Sequence, residues 1–160
     1  MQHRLFCPRV IRFAALLMCL AGLLAAQNSR DKKQSPPQDN SFSDEVAATL
    51  LDQVRQGLET NDPDLMLSAF DSSKMPDFPA FRDQLRSMFQ KYEQFRVDYH
   101  ITQTWTEDGR GIAVVDFELQ ATPQGGEVQP VHTEAQLRFE MARGQQGWKI
   151  VDLSPREFFS

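Results

Sequence analysis

Residues 93–121 read EQFRVDYHITQTWTEDGRGIAVVDFELQA, and the period of this stretch decides the fold class. Phe95, Val97, Tyr99 and Ile101 recur at every second position, with Trp105 further along. Ala113, Val115, Phe117, Leu119 and Ala121 repeat the pattern after Asp108-Gly109. Successive side chains of a strand point to opposite faces, so the alternation predicts two half-buried strands joined as a hairpin. Burial then selects the register. A two-residue Asp108-Gly109 turn carried down a regular ladder pairs Ile101 with Asp116 and Tyr99 with Glu118, which mixes apolar and charged faces. A three-residue loop, Glu107 to Gly109 with Gly109 left-handed, pairs Ile101 with Val115 and Tyr99 with Phe117. The second is expected, because a one-residue slip moves every side chain to the wrong face.

The alternation continues toward the C-terminus. Val131, Ala135, Leu137, Phe139 and Met141 mark a third strand, and Trp148 to Leu153 a short fourth. The connections Pro123 to Gly126 and Arg143 to Gly147 are of hairpin length, so the sheet is an antiparallel meander. The same parity in the second hairpin pairs Phe117 with Thr133 and Leu119 with Val131.

Toward the N-terminus the period becomes helical. Val46, Leu50, Val54 and Leu58 recur every four residues behind Ser43, a helix cap, and Asp44 and Glu45, which suit the positive end of a helix dipole. Asp62-Pro63 restarts a short second helix, from Asp64 to about Phe70. Pro79 opens a third between Asp77 and Tyr92, with Phe81, Leu85, Met88, Phe89 and Tyr92 along one side. A Met and aromatic stripe at this spacing reads as core.

The first 26 residues form a secretory signal: Arg4, Arg9 and Arg12 without an acidic residue, then the apolar run FAALLMCLAGLLAA from Phe13 to Ala26. That run falls short of the roughly 20 residues that span a bilayer. A retained anchor is the competing reading, and Leu24 at −3 weakens the cleavage signal. Residues 27–41 carry paired prolines and almost no apolar side chains, so they are expected as a disordered tether. The organisation is therefore a signal peptide at 1–26, a tether at 27–41 and one domain at 42–160, exported to the periplasm or secreted.

Both cysteines, Cys7 and Cys19, fall in the signal, so the domain has neither a disulfide nor a thiolate metal site. The net charge of −5 becomes −8 on processing, since three positive and no negative charges leave. An acidic surface of this kind argues against nucleic-acid partners. Contact with a membrane is expected only through an uncleaved signal segment.

Three helices followed by a four-stranded meander that closes on GWKIVDLSPREFF, Gly147 to Phe159, resemble the nuclear-transport-factor-2-like (SnoaL-like) superfamily. The resemblance covers the chain from Ser43 onward and implies an α+β cone: three N-terminal helices packed in a curved four-stranded antiparallel meander. It carries no single chemistry, because isomerases, dehydratases, ligand binders and association modules share the fold.

Enzymes of this superfamily resemble one another in placing a general base, a carboxylate or histidine, inside the cone. In the chosen register the inward polar residues are Tyr99, Gln103 and Thr133. Asp98, Asp116, Glu118, Glu134 and Glu140 take the opposite parity. Asp152 is the one weak catalytic candidate, inward only if strand four buries Trp148 and Ile150. Tyr99, Gln103, Trp105, Thr133 and Trp148 are the candidates for holding a small apolar ligand, against a closed core as the simpler reading.

On the outer face the register sets His100 opposite Asp116 and Asp116 opposite Glu134, then Asp98 opposite Glu118 and Glu118 opposite His132. Three readings compete there: a solvated face, a sheet-to-sheet homodimer using Ile112, Val114 and Val151, or a metal site drawn from His100, Asp116, His132 and Glu118. No motif calls for a cofactor. The expected function is an exported, non-enzymatic binding or association module. The alternative is a small-molecule isomerase or lyase with its base in the cone.

Overall fold

The computed structural model describes residues 41–125 and 129–160. The expected export signal and nearly all of the expected tether lie outside the described residues.

Helix α1 spans Asp44–Glu59, α2 spans Pro63–Leu67 and α3 spans Phe78–Lys91. They precede strands β1 (Tyr92–Glu107), β2 (Arg110–Pro123), β3 (Val131–Gly144) and β4 (Gly147–Ser154), and a 3-10 turn over Arg156–Phe159. The strands form one antiparallel sheet in the order β1-β2-β3-β4. The α+β architecture and the three helices are those the sequence indicates.

Local chemistry accounts for the helix starts. Ser43 Oγ accepts from the Val46 N–H, and Asp62 Oδ1 accepts from the Leu65 N–H beside Pro63. α1 buries Ala47, Leu50, Leu51, Val54 and Leu58, and α3 buries Phe81, Leu85, Met88 and Phe89. These stripes meet Val97, Val115, Phe117, Leu137, Phe139, Met141 and Ile150 from the sheet. Phe159 returns from the C-terminal turn to pack against Phe117, with ring centroids 5.8 Å apart.

The outer edge of β4 is covered. The segment after α2 bridges Phe70 to Ile150 in parallel; the Asp71 N–H donates to the Ile150 carbonyl at 2.8 Å, and the Ile150 N–H donates to the Ala69 carbonyl at 2.9 Å. An edge strand paired this way offers fewer free backbone groups to another chain.

The first hairpin reaches the expected pairing by an unexpected route. Ile101 does lie opposite Val115 and Tyr99 opposite Phe117. Yet the turn is the two-residue one: Glu107 pairs with Arg110, and both Asp108 (φ 49°) and Gly109 (φ 75°) are left-handed, as a type I′ turn requires. A bulge at Thr102, between the Ile101 and Gln103 pairings, absorbs the odd residue. Beyond it the faces exchange, so Gln103 and Trp105 turn outward with Val114 and Ile112 opposite them, instead of inward.

The second hairpin is offset by two residues from expectation. Phe117 pairs with Ala135, Leu119 with Thr133 and Ala121 with Val131. A slip of two preserves every face, so burial patterning could not detect it. Val131, expected in the core, stands at the first position of β3 and is 43% exposed.

Candidate functional site

Two places could carry a function: the interior of the cone and the outer face of the sheet. The interior is apolar throughout. Among the described residues every buried one is hydrophobic, and none is polar or charged. Tyr99 lies half-buried under α1, its ring stacked on Phe117 at 6.4 Å. Its hydroxyl donates to Asp52 Oδ1 at 2.9 Å and approaches the Ala48 carbonyl at 3.3 Å, joining sheet to helix. Burial, reinforced by the Asp52 carboxylate, pushes the phenol up to about 12, so it stays protonated as a donor. Asp52 was invisible as a partner in the sequence. Its spacing of four from Ala48, which puts both on one side of α1, was the available signal.

The other ligand candidates do not converge. Thr133 is half-buried opposite Leu119. Gln103 is exposed and Trp105 is 38% exposed, both turned out by the Thr102 bulge. Trp148 packs on Phe42 with ring centroids 5.3 Å apart, and its indole Nε1 is buried without a hydrogen-bond partner among the described residues. Phe42, just before α1, fills the space over Gly111, where an added Cβ would stand 2.2 Å from its ring.

Asp152 faces away from the cone. A bulge at Val151 lets Ile150 pair with Met141 and Asp152 with Glu140, so Leu153 takes the buried position and Asp152 joins the outer face. Its Oδ1 accepts from Arg156 Nη2 at 2.6 Å and Nε at 3.2 Å, and Arg156 Nη1 reaches the Pro76 carbonyl at 2.9 Å. These contacts fasten the C-terminal turn to the body of the domain.

The outer face carries the charge. His100 lies opposite Asp116 and Asp98 opposite Glu118, as the register predicts. The two-residue offset then changes the next column: Asp116 faces Gln136, Glu118 faces Glu134, and Gln120 faces His132. Gln136 Nε2 donates to Asp116 Oδ1 at 3.0 Å, so the His100–Asp116 row is served by an amide. His132 and Glu134 share this face two residues apart, and His132 Nε2 lies 2.5 Å from Glu134 Oε1. Ligand atoms of Glu118, His132 and Glu134 lie within 4.8 Å of one another. His100 and Asp116 fall outside that cluster, while Glu134, absent from the expected metal set, joins it. The period-two placement of His132 and Glu134 was the signal for this pair. Beside them runs a groove of about 210 Å³ lined by Arg96, Asp98, Glu118, Gln120 and His132.

At the other end of the same face Glu140 is held by two guanidinium groups. Arg110 Nη1 donates to its Oε2 at 2.7 Å, and Arg138 donates to Oε1 while reaching Glu107 at 3.3 Å. The Arg138 contact, then Arg110, holds the Glu140 carboxyl below its usual 4.5. Ile112 and Val151, expected as exposed dimer contacts, are already buried within the single chain, and Val114 is half-buried. No helix among the described residues is long and apolar enough to cross a membrane.

No family model and no curated protein matches the chain. Solved structures do. A nuclear-transport-factor-2-like superfamily protein from Salmonella enterica superposes at a TM-score of 0.59 with 13% identity, over 68% of this chain and 86% of that one. This chain has the nuclear-transport-factor-2-like fold. A candidate scytalone dehydratase from Novosphingobium aromaticivorans also superposes at 0.59, with 9% identity over 68% and 79% of the two chains. A candidate association domain of calcium/calmodulin-dependent protein kinase type II from Thiobacillus denitrificans superposes at 0.52, with 20% identity over 66% and 90%. At such identities the shared nuclear-transport-factor-2-like fold fixes the scaffold and leaves the chemistry open.

Proposed function

We propose that this protein is an exported, non-enzymatic association module that pairs with a second copy through the outer face of its sheet. The observation that carries the reading is the interior. General acid–base chemistry needs an ionisable group facing a substrate, and the buried positions among the described residues are all hydrophobic. The inward phenol, Tyr99, is already committed to Asp52. On the outer face Trp105 is a large apolar group left 38% exposed on the β1–β2 hairpin, the kind of side chain that anchors an interface. A fold neighbour named for association lends the scaffold precedent.

Sedimentation velocity and native mass spectrometry of the purified full chain test this together. The expected result is a dimer without a retained small molecule, weakened toward monomer by Trp105→Ala. A monomer at all accessible concentrations would overturn the pairing. Export is checked separately, by fusing residues 1–41 to a reporter active only outside the cytosol.

The alternative, a small-molecule isomerase or lyase, is favoured by one contact: the phenol–carboxylate pair Tyr99–Asp52, on a scaffold shared with a candidate dehydratase. It predicts a co-purifying ligand that is lost in Tyr99→Phe and Asp52→Asn.

A further inference from the structure

We propose that Glu118, His132 and Glu134 form a binding site for a zinc-class divalent cation on the outer face of the sheet. The site is separate from the apolar contact at Trp105 and does not depend on the association reading.

Its placement follows from strand geometry. His132 and Glu134 are two residues apart on β3 and therefore project from one face, and Glu118 of β2 lies directly opposite Glu134. The three ligand atoms already lie within 4.8 Å of one another. Glu118 stands on β2 where it is paired to both β1 and β3, and His132 and Glu134 stand on the stretch of β3 that pairs with β2 before β4 joins at Arg138.

The ligand chemistry selects the ion. One imidazole nitrogen with two carboxylate oxygens is an N/O set of three, which suits zinc and leaves a coordination position for water. Magnesium and calcium prefer oxygen-only sets, so the imidazole discriminates against them. In a tetrahedral site with bonds of about 2.0–2.1 Å, ligand atoms stand roughly 3.3 Å apart. His132 Nε2 and Glu134 Oε1 are closer than that, at 2.5 Å, so the ion replaces their hydrogen bond. Both side chains are open to solvent, at 44% and 63%, and can rotate to make room.

Two further observations bear on the same spot. The groove beside the cluster is lined by His132, Glu118 and Asp98, giving a hydrated ion a concave seat. The cross-strand row Asp98–Glu118–Glu134 also sets three carboxylates side by side. Directly opposed like charges destabilise a sheet, and among the described residues neither Asp98 nor Glu118 makes an ion pair. The neighbouring row differs, because Gln136 donates to Asp116 there. A cation held at Glu118, His132 and Glu134 relieves this row, in which His132 alone is bonded, to Glu134, and whose groove Arg96 also lines.

The test is calorimetric titration of the metal-stripped full chain with zinc chloride, in a Cys7→Ser, Cys19→Ser background that removes the thiols of the signal. One equivalent of zinc is expected, with His132→Ala and Glu118→Gln each weakening it roughly ten-fold or more and His100→Ala, on the adjacent row, leaving it unchanged. Cobalt as a probe should give visible absorption bands that disappear in His132→Ala. Absence of binding, or equal affinity in wild type and His132→Ala, overturns the site. So does magnesium binding as tightly as zinc, which would reduce the cluster to diffuse negative charge. Should His132→Ala fail to fold by circular dichroism, His132→Gln carries the same readings.

Discussion

At the scale of the residue, Gly57 shows how packing can reverse a propensity. Replacing glycine by alanine inside a helix ordinarily stabilises by roughly 0.5–1 kcal/mol. Here a Cβ on Gly57 would stand 2.5 Å from the Met66 backbone nitrogen and 2.7 Å from its Cα, where α1 crosses α2. Backbone cannot step aside as a flexible side chain can. Gly57→Ala is therefore expected to destabilise by about 1–3 kcal/mol, the cost of overpacking, and urea denaturation reads the sign directly. Tyr99 supplies a second residue-level case. Its phenol is raised to about 12 in the folded chain from an ordinary 10.0, so folding favours the protonated form. That stabilisation is complete below 10.0 and is lost as pH rises through about 12. Tyr99→Phe should lack this component of the alkaline decline when unfolding is followed against pH; an unchanged alkaline limb would show that the burial of the phenol, with its Asp52 contact, contributes nothing.

At the scale of the element, the β1–β2 hairpin separates what sequence can fix from what it cannot. The alternation of Phe95, Val97, Tyr99 and Ile101 against Val115, Phe117 and Leu119 defines the buried face, and the structure buries it. It is silent on how the parity is achieved. A three-residue loop and a two-residue turn with a bulge give the same pairing of Ile101 with Val115, and they differ only beyond Thr102. That difference alone moved Gln103 and Trp105 from the cone to the outer face. The Val151 bulge did the same to Asp152, and the β2–β3 ladder slipped by two residues because such a slip costs no face. The helix starts were legible almost to the residue, since Ser43, Asp62 and the prolines carry them in side-chain chemistry, whereas α2, expected to reach about Phe70, ends at Leu67. The outer-face cluster was legible only in part, because cross-strand neighbours depend on a register that the pattern leaves open by multiples of two. The turn itself yields a prediction. Gly109 has φ 75° and no atom within 4 Å of a built Cβ, so Gly109→Ala meets no clash and only the left-handed conformational cost of about 1–2 kcal/mol. Asp108→Asn should leave stability nearly unchanged, as asparagine tolerates the same conformation. Equal effects at the two positions in thermal melts would argue against a type I′ turn.

At the scale of the whole molecule, the outer face divides into two electrostatic regimes joined by one sheet. Near the β1–β2 turn, Arg110 and Arg138 bring together Glu107, which ends β1, and Glu140 of β3, tying the first three strands by charge. Toward the other end, Asp98, Glu118 and Glu134 stand in a row with only His132 bonded among them. The first regime is sensitive to acid. Glu140 has its carboxyl held below 4.5 by Arg138 and then Arg110, so folding favours the ionised form. Its contribution is therefore present above 4.5 and is lost as pH falls through the lower folded value. The row instead sets like charges directly opposite one another, an arrangement that destabilises a sheet. Substitution separates the contributions. Glu140→Gln removes the first while leaving the row intact, so its stability should fall less steeply than that of wild type as the solution is acidified below 4.5, from a lower starting point at neutral pH. Glu118→Gln, which breaks the row at its centre, should instead be at least as stable as wild type at neutral pH without added metal. Urea denaturation of the three proteins across that range measures both slopes. A Glu118→Gln variant less stable than wild type at neutral pH would mean that the row is neutralised by an interaction other than the one proposed, and a Glu140→Gln slope matching wild type would place the acid sensitivity elsewhere in the domain.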